Sequence, residues 1–158
     1  MDYIVELGAL ALASRLRRLI DMLGKDGTQI YRDQKIRFEV RWFPIFHLLH
    51  HHAPLAITEI ADALKIKHPS VIETADEMIK NGLVKSEKDK SDKRYRILKL
   101  TKKGSKLAFK LKPIWDAFEQ GALEAISESK IDLLKALDGM EAAMARKGVY
   151  QRISERLK

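Results

Sequence analysis

One triplet, Asn81-Gly82-Leu83, separates two kinds of periodicity and limits what the middle of this chain can become. Upstream, apolar residues recur at helical spacing in two short runs, Ile57, Ile60, Ala61 and Leu64, then Val71, Ala75, Met78 and Ile79. Downstream, Leu83 to Lys88 and Tyr95 to Leu100 read as two short strands, with Leu98 and Leu100 on one face. Gly82 supplies the left-handed residue that closes a helix, and Leu83 the apolar contact that follows it. Thr58 is expected to cap a helix over residues 59–64, and Pro69 to take the first position of the next one. Two helices, a tight turn and a strand–loop–strand make a winged helix–turn–helix.

Charge gathers in the same region. Leu83 to Lys112 holds twelve Lys or Arg against three Asp or Glu, a balance of +9, whereas all 158 residues sum to +8. Everything outside that stretch is therefore close to neutral, and a confined excess of this kind is the footprint of a phosphate-binding surface. The second helix is expected to enter the major groove of DNA with its N-terminal turn leading. It would present Lys67, His68, Pro69, Ser70, Glu73 and Thr74 to phosphates and base edges. The hairpin loop and its flanks carry Lys88, Lys90, Ser91, Asp92, Lys93, Arg94 and Arg96. These are expected along the adjacent minor groove, with Arg94 leading, because a planar, weakly hydrated guanidinium suits that narrow negative groove better than an ammonium. The second helix is not itself basic, since Glu73, Asp76 and Glu77 stand against Lys80 alone. Asp76 and Glu77 are read as solvent or intramolecular contacts. Glu73 either accepts from a cytosine amino group or weakens non-specific binding.

The flanks are helical. Leu12, Leu16, Leu19 and Leu23 step by four, three and four along a predicted helix from about Asp2, ended by Gly24 and Gly27. A less regular stretch over residues 28–41 leads to a helix from Trp42 to His51, with Pro44 in its first turn and Ala53-Pro54 as its break. Thr101 is expected to cap a long helix towards Ile126, kinked at Pro113, with a further cap between Ser127 and Ser129. Leu133, Leu137, Met140 and Met144 repeat the seam of the first helix, and Gly148 precedes a short tail with Ile153 and Leu157. Such terminal seams suit an internal bundle or a dimer, and the dimer is favoured because little other core lies nearby. The expected fold is mainly α with a small β-hairpin. Residues 42–104 form the winged helix–turn–helix, and residues 1–25 and 105–158 a helical dimerisation layer, within one chain of 1–158.

The wing carries Asp92-x-Arg94, five further residues, then Leu100-Thr101. This resembles the wing signature of the MarR family of bacterial winged-helix regulators. Ile57-Thr58-Glu59-Ile60-Ala61 is similar to that family's first reader helix, Pro69-Ser70-Val71 to its recognition-helix start, and Asn81-Gly82-Leu83-Val84 to its exit. The motifs cover about residues 57–104. The resemblance implies a homodimer whose N-terminal and last two helices interlock while the two readers face successive grooves. It implies that Arg94 enters the minor groove, braced by Asp92 through a salt bridge, and that a ligand pocket lies between the layers. The absence of cysteine removes the family's oxidation-sensing mode.

Other chemistry is thinly represented. Without cysteine there is no disulfide, thiolate nucleophile or cysteine-based zinc site, and a reducing cytoplasm is the natural setting. No run approaches twenty apolar residues, so no membrane span is expected, and the N-terminus lacks the basic region of a secretory signal. No phosphate-cradling glycine loop and no nucleophile-and-base motif point to an enzyme, and no cofactor is implied. His47 and His51 have the i, i+4 spacing of a zinc pair, beside His50 and His52, but no third ligand is identifiable. The favoured reading is a helix end whose imidazoles complement the C-terminal dipole, so no metal ligand is assigned. Trp42, Phe46 and Trp115 could line an effector cavity with Arg15 or Arg18 as a carboxylate anchor, although such aromatics are more often core. The chain thus reads as a dimeric, sequence-specific duplex-DNA-binding transcriptional regulator, a repressor relieved by a small-molecule effector. The rival readings are a metal-responsive regulator using His47 and His51, and a non-specific architectural DNA-binding protein, for which Tyr95 alone supplies an aromatic among the basic residues.

Overall fold

The computed structural model describes residues 1–88 and 96–158. Two compact units divide the chain, residues 1–114 and residues 115–158.

The first unit opens with a short helix, α1 (Tyr3–Glu6), closed by Gly8 at φ +54° and a 3-10 turn over Gly8–Ala11. Helix α2 (Leu12–Asp33) then runs uninterrupted through Gly24 and Gly27, where sequence reasoning placed an end. A glycine inside a helix costs only about 1 kcal/mol relative to alanine and does not by itself stop it. At Gly27 the missing side chain has a packing reason, since a Cβ there would stand 3.1 Å from Val40 Cγ2. A 3-10 turn over Val40–Trp42 leads into α3 (Phe43–His52), whose first turn accepts Pro44 without losing a hydrogen bond.

Around this junction Phe38 makes edge-to-face contacts with Tyr31, Trp42 and Phe46, at ring-centroid distances of 5.2, 5.7 and 5.1 Å. Phe46, Leu49, Ile60, Val71, Met78, Leu98 and Leu111 continue the core and are almost fully buried. Each such side chain contributes about 1.5–3 kcal/mol relative to exposure, so this apolar set fixes the reader's geometry.

Strand β1 (Leu55–Ala56) was not foreseen from the sequence; two residues carry no periodicity. Helix α4 (Ile57–Leu64) is capped at Ala56, not Thr58: the Glu59 carboxylate accepts a hydrogen bond from the Ala56 N–H at 2.6 Å, closing one orphan donor. Helix α5 (His68–Lys80) has Lys67 as its N-cap, so Pro69 is the second helical residue rather than the first. At its exit Gly82 stands at φ +70°. The Leu83 N–H reaches Met78 O and the Gly82 N–H reaches Ile79 O, both at 2.9 Å. This is the Schellman closure expected from Asn81-Gly82-Leu83.

Strands β2 (Val84–Lys88) and β3 (Arg96–Leu100) pair antiparallel, with Ser86 opposite Leu98 and Lys88 opposite Arg96. On the other edge of β3 lies β1, Leu55 opposite Leu98, giving the order β1-β3-β2. Helix α6 (Lys102–Glu128) begins at a Thr101 cap, whose hydroxyl accepts from the Gly104 N–H at 3.0 Å. It remains one continuous helix through Pro113.

The second unit holds the end of α6, then α7 (Leu133–Arg146) and α8 (Val149–Arg156). Its cap is Asp132, which accepts from the Lys135 N–H at 3.0 Å. Ser127 and Ser129, the expected cap, instead donate back to Glu124 O and Ile126 O, finishing α6. Leu133, Leu137, Met140 and Met144 stand 36–41% exposed on α7.

The tightest backbone approach is at Gly104, where a Cβ would lie 2.1 Å from Leu83 O and 3.0 Å from Leu83 C. Gly104→Ala should therefore push the α5 exit and α6 apart, costing about 1–3 kcal/mol as overpacking does. Gly121→Ala, in open helical space, should stabilise by about 1 kcal/mol. Denaturant midpoints at unchanged m-value check both, and a Gly104→Ala protein as stable as wild type would refute the close approach.

Candidate nucleic-acid interface

The N-terminal turn of α5 is the most exposed part of the helix pair. Lys67, His68, Pro69, Ser70 and Glu73 are exposed, and Thr74 is half-buried. Lys67 caps the helix with extended backbone (φ −73°, ψ 142°) and makes no side-chain cap hydrogen bond. Pro69 has no N–H and the Ser70 and Val71 N–H groups donate to Lys67 O, so what this end offers an anion is the positive end of the helix dipole beside an exposed lysine and imidazole. The opposite face of the same helix is fixed by Val71, Ala75 and Met78, each 0% exposed. The turn before it, between α4 and α5, is closed by Ile66 N–H to Ala61 O at 3.1 Å, and Lys65 adopts φ +55° there. Exposed Lys65 adds a cation beside Lys67 that sequence reasoning had not singled out.

The two remaining acidic residues of α5 have partners on different elements. Glu77 accepts Trp42 Nε1 at 2.8 Å and pairs with Arg41 at 2.8 Å. Asp76 accepts Arg96 Nη2 at 2.7 Å, while Arg96 Nε donates to Ser86 Oγ at 3.2 Å. The expectation of intramolecular contacts for Asp76 and Glu77 matches this geometry. Arg96, expected among the DNA contacts, has its guanidinium engaged within the protein. No periodicity announces that pairing, because the partners lie twenty residues apart.

At the base of the hairpin, Thr101 joins three segments. Its N–H donates to Leu83 O at 2.9 Å and its hydroxyl to Gly82 O at 2.7 Å, while Lys103 Nζ donates to Asn81 O at 2.8 Å. The exit of α5, the end of β3 and the start of α6 are one hydrogen-bonded knot. The backbone of Lys88 forms the last described rung of the hairpin, opposite Arg96. Lys90, Ser91, Asp92, Lys93 and Arg94 lie outside the described residues.

The residues considered for an effector pocket fall in different settings. Trp42 and Phe46 belong to the aromatic core, at 5% and 0% exposure. Arg18 pairs with Asp2 and holds the Asp2 carboxyl below its usual range, chiefly through that hydrogen bond, which ties α1 to α2. The surface depressions lined by Arg18 and by Arg15 are walled by α2 and the 3-10 turn before it, and neither includes Trp42 or Phe46. Trp115 lies on the part of α6 that belongs to the second unit.

On α3, the His47 and His51 rings meet tilted at 49° with 4.5 Å between centroids, and His50 meets Phe109 edge-on at 5.5 Å. Among the described residues no group of three ligating side chains gathers around a common point. Burial, then the neighbouring imidazoles, pushes the His47 pKa below its usual 6.5, and burial does the same for His50.

Residues 42–95 match the family model described as the MarR family. No curated protein matches the chain in sequence. Among solved structures, the S. aureus MepR–DNA complex is 23% identical, covering 84% of this chain and 97% of that one, with TM-score 0.71. CouR, a transcriptional repressor solved bound to a 23-mer DNA duplex, is 26% identical over 88% of this chain and 96% of its own, with TM-score 0.66. A MarR/EmrR family transcriptional regulator from Acinetobacter sp. ADP1 is 19% identical, covering 85% and 94%, with TM-score 0.70. The fold shared with these proteins is the winged helix with its flanking helices.

The histidines make a pH-dependent prediction. A histidine whose folded pKa is depressed leaves stability intact above its unfolded pKa. That stability is lost as pH falls through 6.5 towards the folded value, because the unfolded chain takes up the proton first. Denaturation midpoints should fall between pH 7.5 and pH 5.5 in wild type, and fall less in His47→Gln. An equal decline in both would remove His47 from this account.

Proposed function

We propose, for a chain whose residues 42–95 match the MarR family model, that it acts as a homodimeric, sequence-specific regulator of transcription on duplex DNA, working as a repressor. The observation that carries this reading is the outward-facing N-terminal turn of α5, rigidly backed by Val71, Ala75 and Met78, next to a hairpin whose loop residues are strongly basic. Lys67, His68 and Ser70 are assigned to phosphates and base edges at one major groove, with Glu73 and Thr74 one turn further along. Lys90, Lys93 and Arg94 of the loop are assigned to the neighbouring minor groove, with Arg94 inserted.

The homodimer is supported by apolar surface at both ends of the chain. Leu12, Leu19 and Leu23 on α2 are 41–51% exposed, and α7 presents its four-residue seam in the same condition. Val149, Tyr150, Ile153 and Leu157 on and after α8 add to it. Exposed apolar stripes of this kind, each on its own helix, mark interaction sites, and a second copy supplies a matching set. Two copies would place two α5 helices on successive major grooves, about 34 Å apart, which requires a palindromic site. The MepR and CouR structures, each solved with DNA, favour duplex over other polyanions. None of the described helices is long and apolar enough to cross a membrane.

Selection of bound fragments from a random duplex pool should return a palindrome with half-sites about one helical turn apart. On that sequence, Arg94→Ala should weaken binding and reduce the slope of log affinity against log salt by about one, with the dimer intact in sedimentation. Recovery of no common sequence, or equal competition by single-stranded DNA, would overturn the proposal.

A further inference from the structure

We propose that Asp76 and Arg96 form a clamp that sets the angle between recognition helix and wing, so that Asp76, although acidic and on the reader helix, strengthens recognition of the correct duplex. The inference rests on the reading of the chain as a duplex-DNA-binding protein.

The geometry is specific. Arg96 is the first residue of β3 and faces Lys88 across the last described rung of the hairpin, at the end where the basic loop begins. Its guanidinium spans three elements, with Nη2 on Asp76 of α5 at 2.7 Å and Nε on Ser86 of β2 at 3.2 Å. A guanidinium is planar with donors in a fixed fork, so two such contacts define an orientation as well as a distance. Asp76 stands six residues after Ser70, about 9 Å along the helix axis. The clamp therefore lies between the two proposed contact regions, on the side of the hairpin closest to its loop.

Such a link has a mechanical reason. A two-stranded ribbon is weakly constrained on its own, and β1 supports only two residues of β3, at Ile97 and Leu98. The hairpin's base is held by the Thr101 knot, at the opposite end of β3 from Arg96. β1 holds β3 as far as Ile97, so the Arg96–Asp76 contact is the next attachment towards the loop and the one that joins this end of the hairpin to α5. One residue on, about 100° round the helix, Glu77 with Arg41 and Trp42 ties α5 to the turn before α3, so two of the helix's own carboxylates brace it. This accounts for a reader helix with more acidic than basic residues: two of its three carboxylates hold structure, leaving Glu73 exposed to the groove.

The competing explanation has the opposite sign. If Asp76 were only a surface carboxylate near phosphates, removing its charge would tighten binding to every duplex alike. If Arg96 were a phosphate contact, its loss would lower the salt slope by about one.

Full-length wild type, Asp76→Asn, Arg96→Gln and the exchanged pair D76R/R96D are to be titrated against the duplex recovered by wild-type selection and against an unrelated duplex of equal length. The amide of Asp76→Asn should weaken the selected duplex about two- to five-fold, the range expected of an exposed ion pair. The unrelated duplex should bind as well or better. Arg96→Gln should show the same loss of discrimination with an unchanged salt slope. The exchanged pair should recover part of the ratio between the two duplexes. Hydrogen exchange of β2 and β3 in the free protein should quicken in both single variants. Uniform tightening in Asp76→Asn, a reduced slope in Arg96→Gln, or no recovery in the exchanged pair would each overturn the clamp while leaving duplex recognition standing. Failure of wild type to select any duplex would overturn both.

Discussion

The carbonyl of Leu83 is the point on which the reader's construction turns. It lies just past the Schellman closure of α5, accepts the Thr101 N–H, and sits against Gly104 at a distance no side chain would tolerate. One residue earlier, the Gly82 carbonyl takes the Thr101 hydroxyl, and the same hydroxyl accepts from Gly104 to start α6. The end of one helix, the end of one strand and the start of another helix are thus committed to each other through backbone groups. The direction of α5 relative to the hairpin follows from that knot, and what the hairpin loop can reach follows from the direction.

Above the knot the arrangement is apolar and below it ionic. Met78 of α5, Leu98 of β3 and Leu111 of α6 are each 0% exposed, so all three elements turn an apolar face into the core. The ionic contacts lie where Arg96 meets Asp76, beside the loop end of the hairpin, and where Glu77 meets Arg41 and Trp42. Burial provides most of the energy. The charged contacts choose an orientation within what burial allows, which is the usual division between non-directional and directional forces.

Those parts with local signatures were legible before any coordinates. Gly82 demanded a left-handed residue and stands there at φ +70°; Thr101 was placed as a cap and is one. The two reader helices and the hairpin were placed to within a residue or two because their periods differ, near 3.6 before Gly82 and 2 after it. Failures have equally physical causes. Gly24 and Gly27 suggest a helix end because glycine is a poor helix former, but α2 is long enough to absorb the cost, and Gly27 is small where Val40 packs against it. Thr58 has the side-chain chemistry of a cap, yet the helix starts earlier, where Glu59 reaches back to the Ala56 N–H and closes the turn from the other side. Strand β1 and the Asp76–Arg96 pair are products of tertiary contact, with no local pattern to betray them. For Lys90 to Arg94 the structure adds nothing to the sequence reading, since they lie outside the described residues.

The central claim is that α5 and the basic hairpin loop engage one duplex together, twice, across a dimer. Hydroxyl-radical footprinting of the selected duplex reads this directly. The account predicts two equivalent protected patches on one face of the helix, their centres about 10 base pairs apart, each flanked by protection of an adjacent minor groove. A single asymmetric patch, or protection spread evenly along the fragment, would contradict it.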